Sequence, residues 1–191
     1  MPISISPTGF QGLSLITAHH FNDGDFSLTK YYRKTDFEQY GLPCNYTENN
    51  VISYKKGALR GLHYQDQPSQ AKLIYVVSGS IFLVALDLRY NLTTFGRYQR
   101  WIFSAYENKA IFLPELFAVG ILALQDTIIS FNCTGEYIQE KCRGIIWNDK
   151  ELNIQWPIDS VKSPILLSEK DKNLKTFKEY RKELKGEYES Q

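Results

Sequence analysis

A chain of 191 residues can bury a substantial core, and a single domain over residues 1–191 is the default expectation. Its 22 basic and 21 acidic residues nearly cancel, which excludes a strong field for nucleic acid or an anionic membrane surface. No stretch approaches the ~20 apolar residues of a membrane span, and the N-terminus lacks a basic segment followed by a long apolar run, so a cytoplasmic protein without a signal peptide is expected.

The N-terminal third is irregular. Residues 9–16 suggest one short strand. Thr35-Asp36-Phe37-Glu38 has capping-box spacing and predicts a short helix that stops at Gly41-Leu42-Pro43. Lys55-Lys56-Gly57 reads as a turn, and residues 65–70, with Pro68, read as a loop. Between them lies Gly57-Ala58-Leu59-Arg60-Gly61-Leu62-His63-Tyr64-Gln65.

From Ala71 the pattern changes to closely spaced strands. They are expected at 71–77, 81–88, 97–103, 110–113, 119–124 and 127–133. Ser78-Gly79-Ser80 and Gln125-Asp126 supply tight turns. With 13 Tyr and 11 Phe and no helical pattern between the strands, the chain reads as all-β, an antiparallel sandwich or barrel. Its core is expected over about 57–157, with a helical tail over 158–191. In that tail Ser168-Glu169-Lys170-Asp171 is a helix-start signal, and Leu174, Phe177, Tyr180 and Leu184 follow at helical spacing. Residues 186–191 are polar and expected to fray.

Cys44, Cys133 and Cys142 are odd in number and lack metal-ligand spacing, so reduced thiols are expected, with Cys133 in the core. The chain has only three histidines. His19 and His20 are adjacent and would face opposite sides of a strand, which argues against the two-histidine, one-carboxylate iron site of an oxygenase. His63 stands between Arg60 and Lys72. An imidazole flanked by cations suits a general base near neutral pH, with positive charge at hand for an anion or an enolate. The competing reading is a structural histidine. The adjoining loop favours the first, because loops held on a rigid sheet concentrate catalytic residues.

Read together, these words resemble the dTDP-4-dehydrorhamnose 3,5-epimerase family over most of the chain. They are Gly57 to Gln65, Gln70-Ala71-Lys72-Leu73, Val77-Ser78-Gly79, Pro114-Glu115 with Phe117-Ala118 and Gly120, Cys133-Thr134, Arg143-Gly144-Ile145 with Trp147-Asn148-Asp149, Ile154-Gln155-Trp156-Pro157, and Leu167-Ser168-Glu169-Lys170-Asp171. The resemblance implies a cupin-like jelly roll. It implies epimerisation beside the ketone of a nucleotide-diphosphate 4-keto-6-deoxy sugar through an enolate, without metal or redox cofactor. It implies a homodimer in which N-terminal strands are exchanged, and a place in bacterial surface-polysaccharide biosynthesis, such as O-antigen or capsule.

The resemblance puts the family's base on His63, its partner carboxylate on Asp171, and the enolate-stabilising lysine on Lys72. Arg60, Glu48, Asn50, Tyr137 and Lys170 fall on substrate-binding positions. From the residues alone, Lys72 and Arg60 could equally be solvated surface cations, Asp171 a helix-capping residue, and Tyr137 an ordinary sheet aromatic.

Three departures stand out. The family's proton-returning tyrosine falls on Phe131, and a phenyl ring has no proton to give. A family histidine falls on Val119. In the nucleotide-binding words the family's arginine falls on Asp25 and its glutamate on Lys30. The first two suggest inversion of one centre only, C3 or C5, or proton delivery by a water or another residue, which would leave both centres open. The third suggests cytidine or guanosine diphosphate as alternatives to dTDP. A ketoisomerase would want a histidine-rich site. A catalytically degenerate nucleotide-sugar-binding cupin is the alternative from another class, and the retention of His63, Lys72 and Asp171 together argues against it.

Overall fold

The computed structural model describes residues 3–162 and 164–189. Thirteen strands follow one another among them, with four α-helices and a single 3-10 turn at Gln139–Lys141. β1 (Ser4–Pro7), β2 (Ser14–Thr17), β3 (His19–Asp23) and β4 (Phe26–Lys30) precede α1 (Lys34–Gln39). Then come β5 (Tyr46–Tyr54), β6 (Leu59–Gln65), β7 (Lys72–Ser78), β8 (Ser80–Asp87), β9 (Tyr98–Ser104), β10 (Lys109–Leu113), β11 (Phe117–Ala123), β12 (Thr127–Thr134) and β13 (Cys142–Gly144). The tail holds α2 (Ile158–Val161), α3 (Glu169–Lys172) and α4 (Phe177–Glu189).

The strands form the expected antiparallel sandwich. One sheet has the order β1-β2-β10-β7-β12-β5, the other β13-β6-β11-β8-β9, and β3 and β4 make a separate hairpin. The sequence of β8 shows why two sheets need cover on three levels. Residues Ile81 to Leu86 are buried without interruption. Ile81, Leu83 and Ala85 point into the space between the sheets, where they meet Ile74, Val76, Ile111 and Ile129. Phe82, Val84 and Leu86 point the other way, under Trp156, Val161, Phe177 and Tyr180 of the tail. A strand buried on both faces reads as a continuous apolar run rather than an alternating one. The outer face of the other sheet is covered by α1 through Phe37, packed with Ile16, Leu73 and Phe112.

Two glycines carry close packing. At Gly120 on β11, a Cβ would stand 2.7 Å from the Trp156 ring, so the ring lies directly on the backbone. Gly79, in the β7–β8 turn, has φ +79°, a left-handed conformation that L side chains rarely adopt.

Some expectations change. The six predicted strands from 71 to 133 match β7 to β12 closely. However, β1, β3, β4, β5, β6 and β13 are additional, so the N-terminal third is not irregular, and His63 lies within β6, two residues before the expected loop begins at Gln65. α1 is not opened by Thr35. Arg33 occupies its N-cap without a side-chain cap, and the Asp36 carboxylate turns back to the Arg33 guanidinium. From Ser168 onward the tail is two helices, not one. α3 is a single turn, Lys175 bridges to Ile145, and Phe177 starts α4, so Leu174 lies outside both. α4 continues to Glu189 where fraying was expected, and Ser190 and Gln191 lie outside the described residues. No described helix is long and apolar enough to cross a membrane.

Candidate active site

A cavity of about 120 Å³ opens between the two sheets and is lined by both. Arg60 and His63 of β6, with Val119 and Ile121 of β11, form one wall. Ile52 and Tyr54 of β5, Lys72 and Ile74 of β7, and Ile129 and Phe131 of β12 form the other. Larger clefts exist, such as one of about 450 Å³ beside Tyr64, Arg143 and Lys175, but it contains none of the residues named for chemistry. The small cavity brings five of them together: Arg60, His63, Lys72, Val119 and Phe131.

Strict alternation would send Arg60 and His63 to opposite faces of β6, because they are three residues apart. The register against β11 shifts by one between Val119, which pairs with His63, and Ile121, which pairs with Arg60. Such a bulge returns both side chains to one face. Gly61 makes it feasible. Its φ is +109°, and a Cβ there would meet the Val119 carbonyl oxygen at 2.3 Å.

Asp171 arrives from the tail. Its side chain is fully buried, and Oδ1 lies 2.7 Å from His63 Nε2. The contact is close but off the ring's N–H axis, so Nε2 has no aligned hydrogen bond. The same Oδ1 accepts from Gly61 N at 3.1 Å, Oδ2 accepts from Ser168 Oγ, and Arg60 Nε stands 3.8 Å from Oδ2. Burial opposes the charge, but the contacts with His63, Ser168 and Gly61 outweigh it and hold the Asp171 pKa down at about 2. The two readings of Asp171 prove compatible: its backbone N–H donates to the Ser168 Oγ that caps α3, while its carboxylate meets His63.

Lys72 is not a solvated surface cation. It lines the cavity, and burial pushes its pKa down. Arg60 also lines it, with Nη1 donating to the carbonyls of Leu59 and Leu166 at 2.8 and 2.7 Å. The wall facing His63 is built in rungs. Lys72 and Glu48 flank Cys133, and Ile74 and Asn50 flank Phe131. Cys133 is core, as expected, and burial pushes its thiol up to about 11.

The other residues expected at the substrate do not line the cavity. Glu48 accepts from Tyr137 N at 2.6 Å and from Asn50 Nδ2 at 3.1 Å, which lowers its pKa. These three therefore form one cluster at β5, with Glu48 on the Lys72 rung and Asn50 on the Phe131 rung. Tyr137 is exposed, and its phenol borders Cys142. Lys170 is exposed on α3, next to Asp171. Asp25 and Lys30 lie at the exposed β3–β4 hairpin. Ile52 and Tyr54 were missed. Only the structure reveals the set they belong to, in which Tyr46, Glu48, Asn50, Ile52 and Tyr54 are half-buried and the residues between them exposed.

Comparison with known proteins gives a consistent answer. The family profile described as dTDP-4-dehydrorhamnose 3,5-epimerase matches residues 7–179. A dTDP-4-dehydrorhamnose 3,5-epimerase of Methanothermobacter thermautotrophicus is 35% identical over 173 residues, covering 90% of this chain and 93% of the relative. The solved structure of a dTDP-6-deoxy-D-glucose-3,5-epimerase from Legionella pneumophila, in complex with dTDP-4-keto-L-rhamnose, superposes with a TM-score of 0.86 at 30% identity, covering 91% of this chain and 92% of that one. A 3'-monoepimerase from Streptomyces bikiniensis, in complex with dTDP-quinovose, superposes with a TM-score of 0.82 at 29% identity, covering 89% and 86%.

Proposed function

Because the chain belongs to the dTDP-4-dehydrorhamnose 3,5-epimerase family, carbohydrate epimerases of the isomerase class, we propose that it inverts one centre, C3 or C5, of a dTDP-linked 4-keto-6-deoxy sugar. The observation that carries this reading is the His63–Asp171 contact at 2.7 Å, on a cavity that also holds Lys72. A C–H bond next to a ketone is acidic because its loss leaves an enolate. His63 removes that proton. Asp171, in contact with the ring at Nε2, holds it against the cavity wall. Lys72 and Arg60 hold the enolate oxygen by charge in a partly desolvated site. No metal or redox cofactor enters this scheme.

The cavity is too small for a whole nucleotide sugar and takes the reacting ring. The diphosphate and base then lie outside it, toward Glu48, Asn50, Tyr137 and Lys170, where Tyr137 offers an exposed ring to stack on the base. Thymidine is supported by the ligands of the solved relatives. The cytidine and guanosine readings rest on Asp25 and Lys30, at the exposed β3–β4 hairpin. Restriction to one centre rests on Phe131 and Val119, which put apolar groups where the family resemblance expects a proton donor and a histidine. A 3'-monoepimerase among the structural relatives supports that restriction.

A homodimer is part of the proposal. Val51 and Val77 on the sheet of β5 and β7, and Phe21, Phe26 and Leu28 on the β3–β4 hairpin, expose apolar surface suited to an interface. Sedimentation velocity tests it. The setting in surface-polysaccharide biosynthesis rests on the resemblance alone.

The catalytic test is proton NMR in deuterated water with dTDP-, CDP- and GDP-linked 4-keto-6-deoxy sugars. Loss of the H3 or H5 signal, abolished by His63→Ala, supports the reading and identifies the nucleotide. Tight dTDP binding with no exchange would favour the degenerate binder, to which Phe131 and Val119 also lend support.

A further inference from the structure

Inverting a carbon takes two protic groups on opposite faces of the sugar ring. One removes a proton and the other delivers one to the far side. His63 stands on the β6 wall of the cavity, so delivery must come from the wall built by β5, β7 and β12. That wall offers Ile52, Tyr54, Lys72, Ile74, Ile129 and Phe131. Four of the six have no transferable proton. Lys72 is the cation of that wall, and in the epimerase reading the enolate oxygen requires it.

Building on the epimerase reading, we infer that Tyr54 is the group that protonates the enolate carbon from the face opposite His63. The geometry of β5 supports this. Tyr54 belongs to its half-buried, inward-facing set and pairs in register with Thr127. Phe131 pairs with Asn50, two inward positions back along the same strand. Tyr54 thus enters the cavity from the same wall as Phe131, but from the Arg60 side. A donor displaced along the wall in this way addresses one ring carbon rather than two, which agrees with inversion of a single centre.

The electrostatics fit. Burial raises the Tyr54 pKa, Asp171 adds to the rise and Arg60 opposes it, so the phenol stays protonated through neutral pH. The charged and titratable side chains around it are Arg60, His63, Lys72 and Asp171. The step balances. His63 takes the substrate proton and becomes imidazolium. The Tyr54 O–H bond breaks as the new C–H bond forms, leaving a phenolate. Solvent then carries a proton from the imidazolium to the phenolate, and no oxidant or reductant is needed.

The test compares wild type with Tyr54→Phe in deuterated water, following exchange and inversion separately. Thermal melting and dTDP affinity serve as controls for folding and binding. The expected result is that His63-dependent exchange at the reacting carbon persists while inversion falls by ~100-fold or more. Inversion at the wild-type rate would overturn the inference. So would equal loss of exchange and inversion in a folded variant that binds dTDP, because Tyr54 would then not act on the delivery step alone. If Tyr54→Phe does not fold, 2,3,5-trifluorotyrosine at position 54 keeps the ring and acidifies the phenol. The alkaline limb of the inversion pH profile should then move to lower pH, and an unmoved limb overturns the inference. A wild type inert toward every nucleotide sugar would overturn the epimerase reading and this one together. An active wild type with an unaffected Tyr54→Phe variant would overturn this one only.

Discussion

One carboxylate oxygen of Asp171 touches both His63 Nε2, at 2.7 Å, and the Gly61 backbone N–H, at 3.1 Å. His63, the proposed base, is thereby tied to the bulge that turns it into the cavity, and both are tied to a helical turn more than a hundred residues later in the chain. Chemistry and stability therefore meet at a single side chain.

Asp171→Asn should expose both roles. As a positioning change it should lower kcat by about 10²–10⁴, because the imidazole loses the carboxylate that holds it in place. The stability effect has a defined pH dependence. The folded pKa of Asp171 is about 2, below the ~3.9 of an unfolded aspartate. Its charge stabilises the fold above pH ~4, and that contribution disappears as pH falls toward 2. Urea unfolding of wild type and variant should show a constant gap from pH 5 to 7 that narrows below pH 4. A gap independent of pH down to 3 would rule out this account.

The legible part of the chain was its apolar part. β7 to β12 announced themselves because continuous or alternating apolar runs end at Gly79 and Asp126. β5 was hidden because Thr-Glu-Asn-Asn at 47–50 is polar, and its alternation is of half-buried against exposed rather than apolar against polar. β6 was hidden by its bulge. The register shift at Gly61 breaks the period-two pattern, so Arg60 and His63 looked like residues beside a loop. His63 and its cationic neighbours were visible from residue types. Asp171 as its partner came from family resemblance alone, since nothing local to Ser168-Glu169-Lys170-Asp171 distinguishes a cap from a cap that also reaches a base. Tyr54 could not be placed at all until β5 was known to face the cavity.

Gly61→Ala tests the bulge. The added Cβ would lie 2.3 Å from the Val119 carbonyl oxygen and 2.8 Å from Gly120 Cα, both backbone atoms, at a φ of +109°. Strain of this kind costs on the order of 1–3 kcal/mol before the clash is counted. At roughly 2–4 °C per kcal/mol for a chain of this size, Tm should fall by several degrees. Differential scanning calorimetry checks it, and an unchanged Tm would mean that β6 does not need this glycine.

Lys72→Met separates binding from chemistry. The lysine lines the cavity, and burial lowers its pKa, so its charge is held in a poorly solvated place. If it serves the enolate, kcat should fall about 10²–10³-fold, while the Kd for dTDP changes by a few-fold at most. Single-turnover kinetics and calorimetric titration read the two quantities. A variant that loses dTDP affinity but keeps kcat would reassign Lys72 to nucleotide binding.

Phe131→Tyr asks whether the second centre is closed only for want of a proton. Phe131 lies between Asn50 and Ile74 on the wall facing His63, with its ring on the cavity. A tyrosine fills nearly the same volume and adds one hydroxyl, so folding should be preserved within about 1.5 kcal/mol. The new O–H would enter from the rung next to Lys72, where the wild-type wall has no proton to deliver. Solvent exchange and inversion should therefore appear at the carbon that the wild type leaves unchanged, while the rate at the first carbon stays within a few-fold. Deuterium incorporation at H3 and H5, resolved by proton NMR over the same time course, distinguishes the outcomes. If wild type and variant label the same single carbon, the restriction lies in how the sugar is held, and Val119, directly across from His63 on β11, becomes the residue to change next.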